Sequence, residues 1–266
     1  MNGKTTPQEH QADEPPATAA APERPAVSAV ERPAVSAVER PLVSVIVPVY
    51  NEIGTIREVL ERVAATKVEK EIVVVDDCST DGTPQEVEKL TIPGLRLVRH
   101  EKNRGKGAAV RTGFKEARGR ILIIQDADRE YDPENYDRLL DPILRDRADV
   151  VYGSRFLGGP HRVLYFWHYV ANRMLTLLSN VLSNLNLSDM ETGHKVFRRE
   201  VVEGLLLRED GFGIEPELTQ KISRRKWRFY EVPISYYGRT YEEGKKIKVK
   251  DAFRAVWCLI RYALWD

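Results

Sequence analysis

The 266-residue sequence predicts an α/β protein with a mainly parallel sheet flanked by helices. Short β-branched runs alternate with segments whose apolar residues recur at helical spacing. That alternation is what parallel strands joined by crossover helices produce. The runs are also apolar nearly throughout, as expected of strands covered on both faces. A third observation concerns polarity: acidic clusters follow directly behind three of the runs, at strand carboxyl ends, where open α/β sheets gather ligands.

Taken in order, "LVSVIVPVY" (42–50) reads as the first strand. "EIGTIREVLERVAA" follows with Ile53, Ile56, Val59, Leu60 and Val63 on one helical face. "EIVVVDD" is the second strand. "TPQEVEKL" then starts a helix, with Thr83 as cap, Pro84 at the first position and Glu86 completing a capping box. "LRLVRH", "GKGAAVRTGFKEA" and "RILIIQDAD" continue as strand, helix and strand. Asp132–Pro133 opens another helix that Pro142 should kink or end, and "ADVVYGSRF" supplies a fifth strand.

Residues 1–40 differ in kind. They are proline- and alanine-rich, and "ERPAVSAV" occurs in tandem at 23–30 and 31–38 before "ERPLVSVI" runs into the first strand. Such a segment buries too little apolar surface to fold alone, so a disordered tail is expected there. The expected organisation is tail 1–40, an α/β domain over 41–238, and a basic loop with an amphipathic helix over 239–266.

A formal net charge of +1 argues against a general nucleic-acid binder. The two cysteines, Cys78 and Cys258, do not form a disulfide framework, and the N-terminus lacks a signal-peptide core. No apolar run approaches the ~20 residues a membrane span needs. A cytoplasmic protein, with membrane-surface contact left open, is the expectation.

The chemistry concentrates in "PVYNE" (48–52), "DDCSTDGT" (76–83) and "DADRE" (126–130). Residues two apart at a strand end share a side, so Asp126 and Asp128 can share one cation, with Glu130 in reach if the chain stays extended. Hard oxygen ligands suit Mg²⁺ or Mn²⁺. For an isolated D-x-D a solvated, helix-capping turn is the better explanation, but here it must also account for Asp76–Asp77 at a neighbouring strand end, which it does poorly. "EKNRGKGAAVRTG" lacks P-loop spacing, and Gly105 and Gly107 there can simply allow a tight turn before the helix.

In this order, "VSVIVPVYNE", "EIVVVDDCSTDGT", "NRGKGAAVRTG" and "QDADREYDP" resemble the nucleotide-sugar-binding half of glycosyltransferase family 2. "DVVYGSRF", "DMETGHKVFRREV", "GFGIEPEL" and "YEVPISYYGR" are similar to its branch of dolichol-phosphate mannose synthases and bacterial polyprenyl-phosphate glycosyltransferases. The resemblance implies a Rossmann-like GT-A fold and an inverting, metal-dependent transfer from a UDP- or GDP-sugar to a polyprenyl phosphate. By the same resemblance, Pro48, Tyr50, Glu52 and Asp77, with Asp76 beside them, line the nucleoside pocket. Lys106 and Ala127 count with the donor-binding positions. Asp126 and Asp128 hold metal and diphosphate, and Glu130 stands where relatives often carry Gln. Arg155 and Arg173 face the acceptor phosphate. Asp189, Thr192, Gly193 and Lys195 match a D-x-x-[ST]-G-[FY]-[KR] segment in which His194 replaces the aromatic. Arg239, with Lys245 or Lys246, matches a basic loop that closes over phosphates.

A phosphate monoester, with a second pKa near ~6, needs positive guidance more than a base. A soluble hydroxyl acceptor, the alternative reading, would need one, and Asp189, Glu215 and Glu217 are candidates; acids around Pro216 also suit a helix N-terminus. A non-catalytic nucleotide-sugar sensor is a third reading, disfavoured by the intact Asp126–Asp128 pair and by Arg155. In "DAFRAVWCLIRYALWD", Phe253, Val256, Trp257, Ile260 and Leu264 recur at helical spacing behind Lys245, Lys246, Lys248 and Lys250. This fits an interfacial helix, a helix packed on its own domain, or a subunit contact. "HRVLYFWHYVANRMLTLLSNVLSNLNL" is a second amphipathic stretch, with Tyr165, Phe166 and Trp167 available to a lipid tail. His161 and His168 lack companion ligands and read as ordinary.

Overall fold

The computed structural model describes residues 42–158, 160–163, 165–240, 242 and 249–265. The expected tail 1–40 and the lysines at 245 and 246 lie outside them. The chain alternates as predicted: β1 (Val43–Val49), α1 (Ile56–Ala65), β2 (Lys70–Asp76), α2 (Thr83–Glu88), β3 (Leu95–Arg99), α3 (Lys106–Glu116) and β4 (Ile121–Ile124). A single 3-10 turn, Pro133–Asn135, leads into α4 (Tyr136–Leu144), followed by β5 (Val150–Ser154) and α5 (Phe166–Ser183). Then come β6 (Lys195–Arg198), α6 (Arg199–Val202), α7 (Ile214–Ser223), β7 (Phe229–Pro233) and α8 (Val249–Leu264).

The strands form one sheet in the order β3-β2-β1-β4-β6-β5-β7. All pairings are parallel except those of β6, which runs antiparallel to both β4 and β5. This exception positions the site. Lys195, the first residue of β6, lies opposite Ile124 and Tyr152 near the ends of β4 and β5. The segment before β6 is thereby delivered to the edge where the parallel strands finish.

Side-chain alternation builds a core on each face. Val45, Val47, Ile123 and Val151 pack with Ile56, Leu60, Leu139 and Ile143 of α1 and α4. Ile46, Leu122, Ile124 and Tyr152 pack with Val110, Ile214, Leu218 and Leu259 of α3, α7 and α8. α8 also packs against α5, so it is integral to the domain.

Two local expectations are corrected, and the expected end of α4 near Pro142 is met. The cap of α2 is Gly82, in left-handed backbone, and Thr83 is the first helical residue. The Thr83 hydroxyl instead donates to Asp81 and accepts from the Glu52 amide, while Glu86 pairs with Arg57 and Lys89. Pro142 sits within α4, which ends two residues later. β4 stops at Ile124, so the acidic run lies in the following turn and not on an extended strand.

Before α3, Gly105 adopts φ +96° and ψ 163°, a conformation that is essentially glycine's alone. A Cβ there would also run into the Asp210 carbonyl. Gly105→Ala should therefore lose about 1–3 kcal/mol in urea unfolding, and it should displace α3. Unchanged stability would show that the turn relaxes freely.

Candidate active site

The β1–α1 and β2–α2 loops are stitched together. The Asn51 amide donates to Ser79 Oγ (2.9 Å), the Thr80 amide to Asn51 Oδ1 (2.8 Å) and the Ile53 amide to Asp81 (3.0 Å). Pro48 is buried in β1, and Tyr50 is partly exposed at its end. Asp76, fully buried, accepts from the Ser79 amide. Asp77 faces the 100–105 loop: it meets His100 Nδ1 at 2.7 Å and accepts from the amides of Arg104 (2.9 Å) and Gly105 (2.6 Å). Its carboxylate thus shapes the turn that starts α3.

α3 begins with Lys106, whose Nζ lies 2.7 Å from Asp126 Oδ1 and 3.4 Å from Glu215 Oε1. Glu215 Oε2 in turn lies 2.5 Å from Lys195 Nζ, which also donates to the Thr192 carbonyl and stands over the Tyr152 ring. Although burial opposes its charge, the Asp126 and Glu215 carboxylates hold Lys106 protonated beyond its ordinary range. Burial likewise opposes the Asp126 charge, yet Lys106 keeps that carboxyl below the usual range.

Asp128 turns the other way, to Arg239 Nη2 at 2.6 Å. Arg239 also reaches Glu52 (3.2 Å), and its amide donates to Glu130 Oε1 (2.6 Å). Glu130 Oε2 accepts from the Tyr236 hydroxyl (3.0 Å). Burial, then the Asp126 and Glu130 carboxylates, drive the Asp128 carboxyl upward against the pull of Arg239. Ala127 is buried between the two aspartates, and its carbonyl accepts from Thr55 (2.9 Å). Gly193 closes over this turn: a Cβ there would run into Asp126 Oδ2.

Among the described residues no three acid, histidine or cysteine side chains converge as a ready-made cation cage. Glu130, expected as a third ligand, is instead engaged by Tyr236 and Arg239 because the chain bends after β4. The donor set still fits a hard divalent ion that brings other oxygens with it. Asp126 and Asp128 offer carboxylates, and the charge strain at Asp128 calls for more positive charge than Arg239 supplies.

On the far side, Arg155 grips Asp189 bidentately (2.7 and 2.7 Å), and its guanidinium stands over the Tyr236 ring. Glu231 fixes the segment by accepting from the Ser188 and Asp189 amides, each at 2.9 Å. Arg173 donates to the Ser188 carbonyl (3.1 Å). Lys246 lies outside the described residues. Of the three acids considered as a base, Asp189 is held by Arg155 and Glu215 by two lysines. Glu217 accepts from the amides of Arg208 and Glu209 and lies 2.9 Å from Lys221.

Two residues gain meaning only in the structure. His194 fills the place of the expected aromatic, its ring 4.9 Å from that of Tyr131 and 6.0 Å from that of Tyr136, with Nε2 at 3.0 Å from Gln125 Oε1. Burial lowers it to about 4 against the pull of Asp126 and Asp132, so it is neutral. Glu191 lies between the matched positions of its segment, and nothing in the sequence singles it out. Burial, then the Glu215 charge, push it up to about 7, with Lys195 and Arg155 opposing.

Residues 44–206 match the family model described as "Glycosyl transferase family 2". A dolichol-phosphate mannosyltransferase of Pyrococcus furiosus is 32% identical over 84% of this chain and 64% of its own length. A polyprenol monophosphomannose synthase of Mycolicibacterium smegmatis is 32% identical over 73% of this chain and 77% of its own. The chain therefore spans a little under two thirds of the first relative and about three quarters of the second. Among solved structures, Mycobacterium tuberculosis glucosyl-3-phosphoglycerate synthase, crystallised with Mn²⁺, UDP and glucosyl-3-phosphoglycerate, superposes with TM-score 0.66 at 20% identity. The match covers 84% of this chain and 79% of that one, and it establishes a common GT-A-like fold.

Neutral His194 makes a pH prediction. Its folded value is depressed, so the stability it confers is present above the unfolded value near ~6.5 and is lost as pH falls toward about 4. Between pH 7.5 and 4.5, His194→Phe should lose less urea stability than the parent, by up to roughly 3 kcal/mol. Equal acid sensitivity would mean that His194 is not held neutral.

Proposed function

The chain belongs to glycosyltransferase family 2, and from that premise we propose that it moves one hexose from a UDP- or GDP-sugar to a polyprenyl phosphate with inversion. The observation that carries this reading is a convergence of cations in which the three acids suggested as a base by the sequence are all held by other groups. Lys106, Lys195, Arg239 and Arg155 converge on the strand ends, while Asp189, Glu215 and Glu217 are all engaged. An acceptor that is already ionised suits such a site; a hydroxyl acceptor does not. The names of the two relatives support a polyprenyl-phosphate acceptor and make mannose the first sugar to test.

Asp126 and Asp128 would hold Mg²⁺ or Mn²⁺, which neutralises charge on the departing diphosphate. Lys106 and Arg239, already beside those carboxylates, meet the phosphate oxygens from either side. Pro48, Tyr50, Glu52 and Asp76 border the nucleoside, and Asp77 acts through the loop it shapes. Arg155, oriented by Asp189, and Arg173, at the Ser188 carbonyl, guide the acceptor phosphate. Lys195 holds Glu215 and the Thr192 carbonyl in place, which keeps the wall rigid.

Among the described residues no helix is long and apolar enough to cross a membrane. α5 nevertheless exposes Phe166, Trp167, Met174, Leu177 and Val181 at helical spacing. α8 buries Ala255, Cys258, Leu259 and Tyr262 and turns Phe253, Trp257 and Leu264 outward. These faces suit contact with the cytoplasmic surface of a membrane that holds the lipid acceptor.

Nucleotide release from GDP-mannose, UDP-glucose or UDP-N-acetylglucosamine should require a divalent ion and rise strongly with a short-chain prenyl phosphate. Release that ignores the lipid would favour the soluble-acceptor alternative. Asp128→Ala should lower transfer at least about 100-fold with its circular dichroism unchanged. Sedimentation with anionic vesicles should fall when Trp167 and Trp257 are both changed to Ser. Unaltered sedimentation would remove the membrane face.

A further inference from the structure

Buried side-chain polar atoms in folded proteins nearly all find partners, so a group of orphans calls for a specific explanation, an occupant among them. Here the orphans cluster. Glu191 Oε1, Thr192 Oγ1 and Glu215 Oε1 have no hydrogen-bond partner, and neither does Arg239 Nε; outside the site and its His194 support, only Arg96 Nε and Trp227 Nε1 share that condition among the described residues. Glu215 at least has Lys106 at 3.4 Å. Glu191 has no cation of its own. Arg155 is committed to Asp189, Lys195 to Glu215 and the Thr192 carbonyl, and Lys106 to Asp126.

The segment carrying these atoms is rigid. The Asp189 amide is fixed by Glu231, the Met190 amide donates to Thr176 Oγ1 (3.2 Å), and the Gly193 amide donates to the Tyr131 hydroxyl (2.8 Å). The charges that act on the Glu191 carboxyl are those of Glu215, Lys195, Arg155 and Asp189, the members of the two ion pairs on this edge. Resting on the donor and acceptor reading above, we propose that Glu191 and Thr192 are the wall that receives hydroxyl groups of the hexose in transit, Glu191 as the specificity-determining residue.

Charge decides against the other moieties. A phosphate beside Glu191 would meet the Glu215 and Asp189 carboxylates as well, whereas a sugar hydroxyl can both donate to a carboxylate and accept from a carboxylic acid. With the Glu191 carboxyl pushed up to about 7, both forms are present near neutral pH.

Calorimetry with Mn²⁺ separates the possibilities, using GDP against GDP-mannose and UDP against UDP-glucose. In Glu191→Ala the cognate nucleotide sugar should bind about ten- to hundredfold more weakly, as for a lost hydrogen bond to a charged group. The matching nucleoside diphosphate should stay within about twofold of the parent, a window set by tenfold being 1.4 kcal/mol. Glu191→Gln should retain part of the sugar affinity and melt no lower than the parent. Equal weakening of diphosphate and nucleotide sugar, unchanged affinity for both, or a clear fall in melting temperature for Glu191→Gln would each overturn the proposal. So would a loss of kcat alone, which marks a general base. If the parent binds neither diphosphate, the donor reading fails first and this inference falls with it.

Discussion

Buried acid at the carboxyl edge of the sheet is the constraint on which the rest of this structure depends. An unpaired buried charge costs several kcal/mol, roughly 3–5 when a partner is removed. The acids nearest the centre of that edge are therefore matched by groups from other elements. α3 supplies Lys106 to Asp126 and Glu215, β6 supplies Lys195 to Glu215, and the segment after β7 supplies Arg239 to Glu52 and Asp128. Arg155, just beyond β5, does the same for Asp189. The Lys106 and Lys195 pairs thus join, at the sheet edge, elements that already share an apolar core. They also explain why β6 runs against its neighbours: only an antiparallel strand begins where β4 and β5 end, and its first residue is the lysine that Glu215 needs.

Much of this was legible in the sequence because parallel strands covered on both faces appear as continuous apolar runs. β1, β2, β4 and β5 follow from that one rule, and the helices from apolar residues at helical spacing. β6, "KVFR", escaped it through its four-residue length and charged ends, and β7, "FYEVP", through its place at the sheet edge. Asp126 and Asp128 could be recognised as a pair. The choice of partner for each could not, since Lys106 and Arg239 come from segments far apart in the chain. Asp77 shows the limit of motif matching. The residue was legible, but its work of holding His100 and the Gly105 turn is visible only in three dimensions.

His194 and Glu191 mark a second limit. Both are polar side chains in a buried segment, and composition cannot say whether such groups are satisfied. His194 is satisfied on one side, where Gln125 meets Nε2 and two tyrosine rings enclose it, so it substitutes for an aromatic at the cost of one orphaned nitrogen. Glu191 sits in the same segment without any such compensation. A strand-end loop held by Glu231, Thr176 and Tyr131 cannot turn to relieve it. Rigidity and dissatisfaction together distinguish a preorganised binding group from a merely tolerated one.

On the proposed reading, the same charge matching makes substrate binding a coupled exchange. Lys106 and Arg239 hold Asp126 and Asp128 while the donor is absent. If a divalent ion took over those carboxylates alone, two protein cations would be left buried without partners. If a diphosphate entered alone, its charge would add to carboxylates that Arg239 already fails to offset at Asp128. Arriving together, they let Lys106 and Arg239 pass from carboxylate to phosphate oxygen with no charge stranded at any stage. Each then raises the affinity of the other by the same factor, as linkage demands. On that reading, metal and nucleotide bind more tightly together than either does alone.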